Sequence, residues 1–247
     1  MQDSDFGRTM LSLKEKILNV LPVVGDFTPS IPGLTFFRRD TINERENCVY
    51  SPVIAIVIQG SKCSIIGNGE HQYGEGYCLI SCVDMPGITM VTKASKEKPF
   101  LSLSLFLDRH IIAQLLAETG NVPGGDDSYT AVSLEKVQPD VLGAFGRLVD
   151  TIEKPEQILI LAPMITREIH YRILAGPQGS VLRTFGAVGT QGGRIAEAIS
   201  WLRKNYTEPF SADELADKVH MSLPTFNRYF RQVTSISPLQ FQKRLRL

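Results

Sequence analysis

The chain has 247 residues, 43% of them hydrophobic, and its 26 basic side chains balance 26 acidic ones. That length allows one large domain or two modest ones, and the composition is ordinary for a water-soluble globular protein. No window approaches the ~18 uncharged apolar residues of a membrane span, and the start with Asp3 and Asp5 lacks the basic residues and apolar run of a secretory signal. The expected compartment is the cytoplasm, with no membrane partner.

Residues 1–30 read as an N-terminal helix and arm. Residues 31–107 read as β structure. "VIAIVIQG" is a β-branched run ended by Gly60, and Gly67-Asn68-Gly69 is a turn between two short strands. "PFLSLSLFL" alternates apolar and small polar residues, as a half-buried strand does. Many short strands with close turns predict an antiparallel sandwich or barrel. Phe37, Tyr50, Tyr77 and Phe100 are candidates to line a pocket inside it, with plain core packing as the alternative.

Asp108 is an expected N-cap for a helix carrying Ile111, Ile112, Leu115 and Leu116. "NVPGGDDS", from Asn121 to Ser128, reads as a loop. Two more helices are expected over about 139–153 and 156–175. Ile158, Ala162, Ile165, Ile169 and Ile173 share one face of the second. That face either packs on the β domain or forms a homodimer, so 108–175 is the expected dimerisation region. "AGPQGS" and "GAVGTQGG" then predict a flexible linker over 176–193.

From Arg194 onward nine basic residues face five acids, a net charge of +4 against −4 for the remainder. A basic end on an acidic body points to a nucleic-acid contact confined to that end. Ile195, Ile199 and Leu202 mark a first helix in this segment. Ser211 and Glu214 have the S-x-x-E spacing of a capping box opening a second. Leu215, Ala216 and Val219 point inward, and small Ala216 allows another helix to cross closely. After the turn "VHMS", Ser222 caps a third helix with Pro224 in its first turn.

Phe226, Phe230 and Val233 supply that third helix with its buried stripe. Thr225, Arg228 and Gln232 share the opposite face, bordered by Asn227 and preceded by Pro224. Arg and Asn make bidentate contacts with guanine and adenine edges, and such a helix fits the major groove. The candidate base contacts are therefore Pro224, Thr225, Asn227 and Arg228. Ser222, Arg231, Gln240 and Lys243 are the candidate backbone contacts. A solvated polar face, with Arg228 paired to Asp217, is the structural alternative.

The residues from Ile195 to Leu247 resemble the AraC/XylS DNA-binding domain along their whole length, through "LA" in the second helix, "HMS", "TFNRYFRQVT" and "SPLQFQKRLRL". Upstream, "IPGLTFFRRD", "SPVIAIVIQGSK", "YGEGYCLISCVDMPG" and "REIHYRILAGPQG" resemble the cupin-like N-terminal regulatory domain of one AraC subgroup, over most of residues 30–180. The resemblance implies an α+β fold: an N-terminal cupin-like β-barrel with appended helices, then an all-α helix-turn-helix unit over 194–247. It implies a sequence-specific DNA-binding transcriptional regulator, an activator, that responds to a small-molecule effector. Operator DNA, RNA polymerase and a second copy are the implied partners, with no cofactor. The family pattern has two helix-turn-helix units joined by a long helix. That helix starts here at Ser237-Pro238 and the sequence stops at Leu247, so a single unit is present and weak DNA binding is expected.

Two other readings compete. A cupin metalloenzyme needs clustered ligands on strands, yet His71, His110, His170 and His220 fall in a strand, two helices and a turn, and no facial triad can be drawn. A redox or electrophile sensor would act through Cys48, Cys63, Cys78 or Cys82. Lys62 adjoins Cys63, but strand neighbours point to opposite faces. The spacing of the four cysteines does not suit zinc.

Overall fold

The computed structural model describes residues 2–120, 130–186 and 189–246. The loop expected at 121–128 lies outside the described residues, as do parts of the expected linker and Leu247. In chain order the strands are β1 (Gly25–Phe27), β2 (Leu34–Arg39), β3 (Glu46–Tyr50), β4 (Val53–Gln59) and β5 (Ser61–Ile66). Then come β6 (Gly69–Gly74), β7 (Tyr77–Ser81), β8 (Met85–Lys93), β9 (Phe100–Phe106) and β10 (Val132–Lys136).

These strands form two antiparallel sheets. One has the order β1-β2-β9-β4-β7-β10 and the other β3-β8-β5-β6. Period-two alternation gives the larger sheet two different faces. Leu34, Phe36, Ile54, Ile56, Leu101, Leu103 and Leu105 are fully buried on one of them. The opposite face carries Phe37, Ala55, Ser102 and Ser104, which meet Cys48, Tyr50 and Lys62 of the smaller sheet across an open interior. The "LSLSL" alternation of β9 thus separates a close-packed layer from a cavity wall.

Helices flank the sheets. α1 (Gln2–Val20) buries Met10, Leu13 and Ile17 and packs on β4 and on α3 (Pro139–Asp150). α2 (Arg109–Thr119) starts at Asp108, whose carboxylate accepts from the amides of His110 and Ile111 as expected. α4 (Pro155–Ala175) follows a short 3-10 turn at Thr151–Glu153. Its imidazole His170 is fully buried and accepts from the Asp108 amide at 2.9 Å, tying α4 to the start of α2.

Three expected bounds need correction. The arm over 1–30 contributes β1, and β10 continues the sheet beyond residue 107 by pairing with β7. The linker expected at 176–193 contains α5 (Gly179–Gly186), with Val181, Leu182 and Phe185 buried. Glycine there permits contact: a Cβ on Gly186 would stand 2.3 Å from Ile112 Cγ2, so the residue is absent of a side chain because two helices meet. The isoleucine face of α4 packs inward, with Ala162, Ile169 and Ile173 buried and Ile158 and Ile165 against the core. Leu159, Ile160, Leu161, Met164 and Tyr171 are the large apolar side chains that α4 exposes.

Candidate nucleic-acid interface and effector cavity

The C-terminal helices are α6 (Gln191–Lys204), α7 (Ala212–Lys218), α8 (Leu223–Thr234) and α9 (Pro238–Leu245). Leu215, Ala216, Val219, Phe226 and Phe230, the predicted helix-turn-helix core, are all buried. Phe230 bridges the rings of Phe226 and Phe241, at centroid distances of 5.5 and 5.4 Å. This edge-on aromatic row fixes α8 against α9. Between α7 and α8 the chain reverses at His220, which adopts φ of 55°. Arg194, at the start of α6, donates to the His220 carbonyl and so holds the turn; sequence reasoning had no signal for this pairing.

The caps differ in part from expectation. Ser211 Oγ accepts from the Asp213 amide, but no reciprocal bond from Glu214 is formed among the described residues. The capping box occurs at α9, where Ser237 and Gln240 exchange bonds. Gln240, a candidate backbone contact, thus has its side chain committed to the cap. The Ser222 hydroxyl donates to Thr225 Oγ1 at 2.9 Å instead of capping an amide.

At about 100° per residue, Arg228 lies almost opposite the buried stripe of α8. It is exposed, as are Pro224, Arg231 and Gln232, while Thr225 and Asn227 are half-buried at the border of the same face. Its guanidinium sits 5.0 Å from the Tyr229 ring centroid. No ion pair joins it to Asp217 among the described residues. The base-contact candidates therefore share one solvent-facing surface, with Lys243 exposed on the neighbouring α9.

The helical unit packs on the β domain through α9 against β8 and is hydrogen-bonded to the β5–β6 turn. Asn68 Nδ2 donates to the Ser235 carbonyl at 3.2 Å, and Arg244 Nη1 donates to the Gly67 carbonyl at 3.1 Å. Gly67 and Asn68 join β5 to β6, and Ser235 caps α8 in a left-handed conformation.

Between the two sheets lies a cavity of about 410 Å³. Phe37, Tyr50 and Phe100 line it, whereas Tyr77 stands outside it on β7. Tyr50 Oη donates to Ser64 Oγ at 2.6 Å, and Ser64 meets Tyr73 Oη at 2.9 Å, so the inner hydroxyls are satisfied. Lys62 enters the same cavity, its Nζ 5.6 Å from the Tyr50 ring centroid. Strand parity sends Cys63 the other way, to Glu70 at 3.5 Å, so the thiol that shares the cavity wall with Lys62 is Cys48.

Burial raises the pKa of all four thiols, Cys78 to about 12, and at Cys48 it outweighs the lowering by Lys62. Raised thiols are poor nucleophiles, which counts against a thiol-based sensor. No three His, Cys, Asp or Glu side chains cluster to hold a metal among the described residues. No helix among them is long and apolar enough to cross a membrane.

Comparison with known proteins adds the family. Residues 30–181 match the AraC-type transcriptional regulator N-terminus, and residues 202–243 match the bacterial regulatory helix-turn-helix proteins of the AraC family. The transcriptional activator RhaS of Yersinia pestis (strain Pestoides F) is 37% identical over 57 residues, and that of Yersinia pestis bv. Antiqua (strain Antiqua) 35%. Each match spans 23% of this chain and about a fifth, 21%, of the relative's length. ToxT from Vibrio cholerae aligns at a TM-score of 0.35 and 10% identity over 85% of this chain and 97% of its own. The AraC-like activator CuxR aligns at 0.37 and 13% over 87% and 75%. With its N-terminal match alone covering more than half of its residues, the chain belongs to the AraC family of DNA-binding transcriptional regulators.

Proposed function

We propose that this chain reads operator DNA through α8 and that a small organic molecule in the cavity between the sheets controls the reading. The observation that carries the proposal is the placement of Arg228, exposed and opposite the stripe that fixes α8. Its fork matches guanine O6 and N7, with Asn227, Thr225 and Pro224 beside it for neighbouring bases. Ser222, Arg231 and Lys243 serve phosphates in this reading. The named relatives are activators, which supports activation, and hence contact with RNA polymerase in the cytoplasm. The chain acts as a regulator, not an enzyme.

A second copy completes the reading. Leu159 and Met164 are 82% and 63% exposed on α4, and an isologous pairing of α4 with its twin would cover both patches with one contact.

Selection of binding sequences from a random double-stranded pool, at low salt where phosphate contacts are strongest, tests the assignment. Wild-type protein should enrich one short motif, and Arg228→Ala should relax it at a single base position. Enrichment of the same motif with equal strictness by both proteins would move the recognition surface away from α8.

A further inference from the structure

We propose that the cavity between the sheets takes an organic monoanion, a carboxylate with an apolar body, whose charge is met by Lys62. This rests on the reading of that cavity as the effector site.

The argument begins with Lys62, which lines the interior yet forms no ion pair or hydrogen bond among the described residues. Its surroundings offer little compensation. The Tyr50 ring face is 5.6 Å away, and a cation over a ring recovers only part of the lost hydration. The charged neighbours do not neutralise it. Arg39, the other cation lining the cavity, is bonded to Asp26 at 2.7 Å and repels Lys62. Glu46 also lines the cavity, but it sits exposed at the start of β3 and no ion pair joins it to Lys62 among the described residues. Cys48 has its pKa raised and is a neutral thiol near neutrality. An ammonium in such a place is disfavoured by desolvation, which lowers the Lys62 pKa. An anion brought in by a ligand reverses that penalty, and no residue of the described chain does so.

The remaining walls describe the rest of the molecule. Phe37, Phe100 and Val91 present apolar surface, and half-exposed Phe106 stands at the rim. Ser102 and Ser104 add small hydroxyls on the wall facing Lys62. A cavity of about 410 Å³ falls within the usual range for small organic ligands. Lys62 is the cation of the lining that has no bonded acid, since Arg39 is held by Asp26, and Phe37, Val91 and Phe100 offer apolar surface for the body of a monocarboxylate.

The test uses the full chain and matched pairs: hexanoate, octanoate and 3-phenylpropionate against their primary amides, with a neutral hexose as a further probe. Calorimetry and thermal shift report binding at pH 7. At least one acid should bind about 10–100-fold more tightly than its amide, the span of one charge-assisted contact. Lys62→Met should remove that preference while leaving amide binding and the melting temperature of the free protein nearly unchanged. Lys62→Arg should retain it. Equal binding of acid and amide, acid binding that survives Lys62→Met, or binding of the hexose alone would each overturn the charge assignment and leave the cavity as the effector site. Binding by no probe, together with no loss of DNA control when Ala55→Trp fills the cavity, would overturn both.

Discussion

Asn68, at the tip of the β5–β6 turn, donates its side-chain amide to the carbonyl of Ser235, the residue that caps α8. Lys62 lies on the same strand, β5, that leads into this turn. Lys62 and the end of α8 are thus joined by one short strand and its hydrogen-bonded turn.

Gly67 is the residue that makes the contact possible. It sits at φ of +60°, and a Cβ there would lie 2.8 Å from the Thr234 carbonyl oxygen. Gly67→Ala should cost about 1–3 kcal/mol, from left-handed strain plus displacement of α8, measured by urea unfolding. Asn68→Ala removes one exposed hydrogen bond and should cost about 0.5–1 kcal/mol. If Gly67→Ala left both stability and operator affinity untouched, the turn would not rest on Ser235 in solution.

The two cations of the reading surface should respond differently. Arg228→Ala should lose about 1–3 kcal/mol of operator binding and affect one base position. Folding should hardly change, because its only described partner is the neighbouring Tyr229 ring. Lys243→Ala should weaken all sequences alike and flatten the dependence on salt by about one counterion. Fluorescence anisotropy across a salt series distinguishes them. Identical salt slopes for both variants would remove Lys243 from the phosphate contacts.

What could be read in advance follows the range of the interaction. The caps at Asp108 and Ser237, Pro224 in the first turn of α8 and the buried Phe226–Phe230 pair are settled within one or two helical turns, so their residue types announce them. Long-range contacts left no such mark. The glycines around α5 look like flexible chain locally, whereas Gly186 is small because Ile112 of another helix presses on it. Periodicity placed Ile169 on an apolar face but carries no information on what covers that face. In the cavity, alternation could say that Lys62 and Cys63 diverge; it could not say that Lys62 meets Cys48 of a strand in the opposite half of the sheet. The carboxylate reading therefore emerges only from the assembled sheets.

The buried face of α4 changes the test of self-association. Ile169→Glu would place a carboxylate at a site with no exposure and should unfold the protein, by more than about 3 kcal/mol, whatever its oligomeric state. The informative variant is Leu159→Glu combined with Met164→Glu, at two exposed positions where folding should be nearly neutral. Sedimentation should shift from dimer to monomer. A dimer that persists with both substitutions would exclude the exposed face of α4 as the contact.

His170 carries a pH dependence that can be worked out in sign. Its Nδ1–H donates to the Thr166 carbonyl at 2.7 Å, which leaves Nε2 as the acceptor for the Asp108 amide at 2.9 Å. Protonating Nε2 would set two donors against each other inside a fully buried site. Burial accordingly lowers the folded pKa, with the Thr166 carbonyl and the Asp108 carboxylate only partly opposing it. In the unfolded chain the imidazole takes up a proton near pH 6.5, its ordinary value. Above that pH both states are neutral, and the full stabilisation is present. As pH falls through it, the unfolded state binds the proton first, so stability declines by up to about 1.4 kcal/mol per pH unit until the lowered folded pKa is reached. His170→Gln cannot titrate. It should be less stable at pH 8 by about 1–3 kcal/mol, for a buried amide left without its acceptor, yet lose less on going from pH 7 to pH 5. Urea unfolding of both proteins across that interval measures the difference, which cancels whatever the two proteins share. Parallel stability curves would mean that His170 takes up its proton equally readily in the folded and unfolded chains, so that Nε2 does not hold the Asp108 amide.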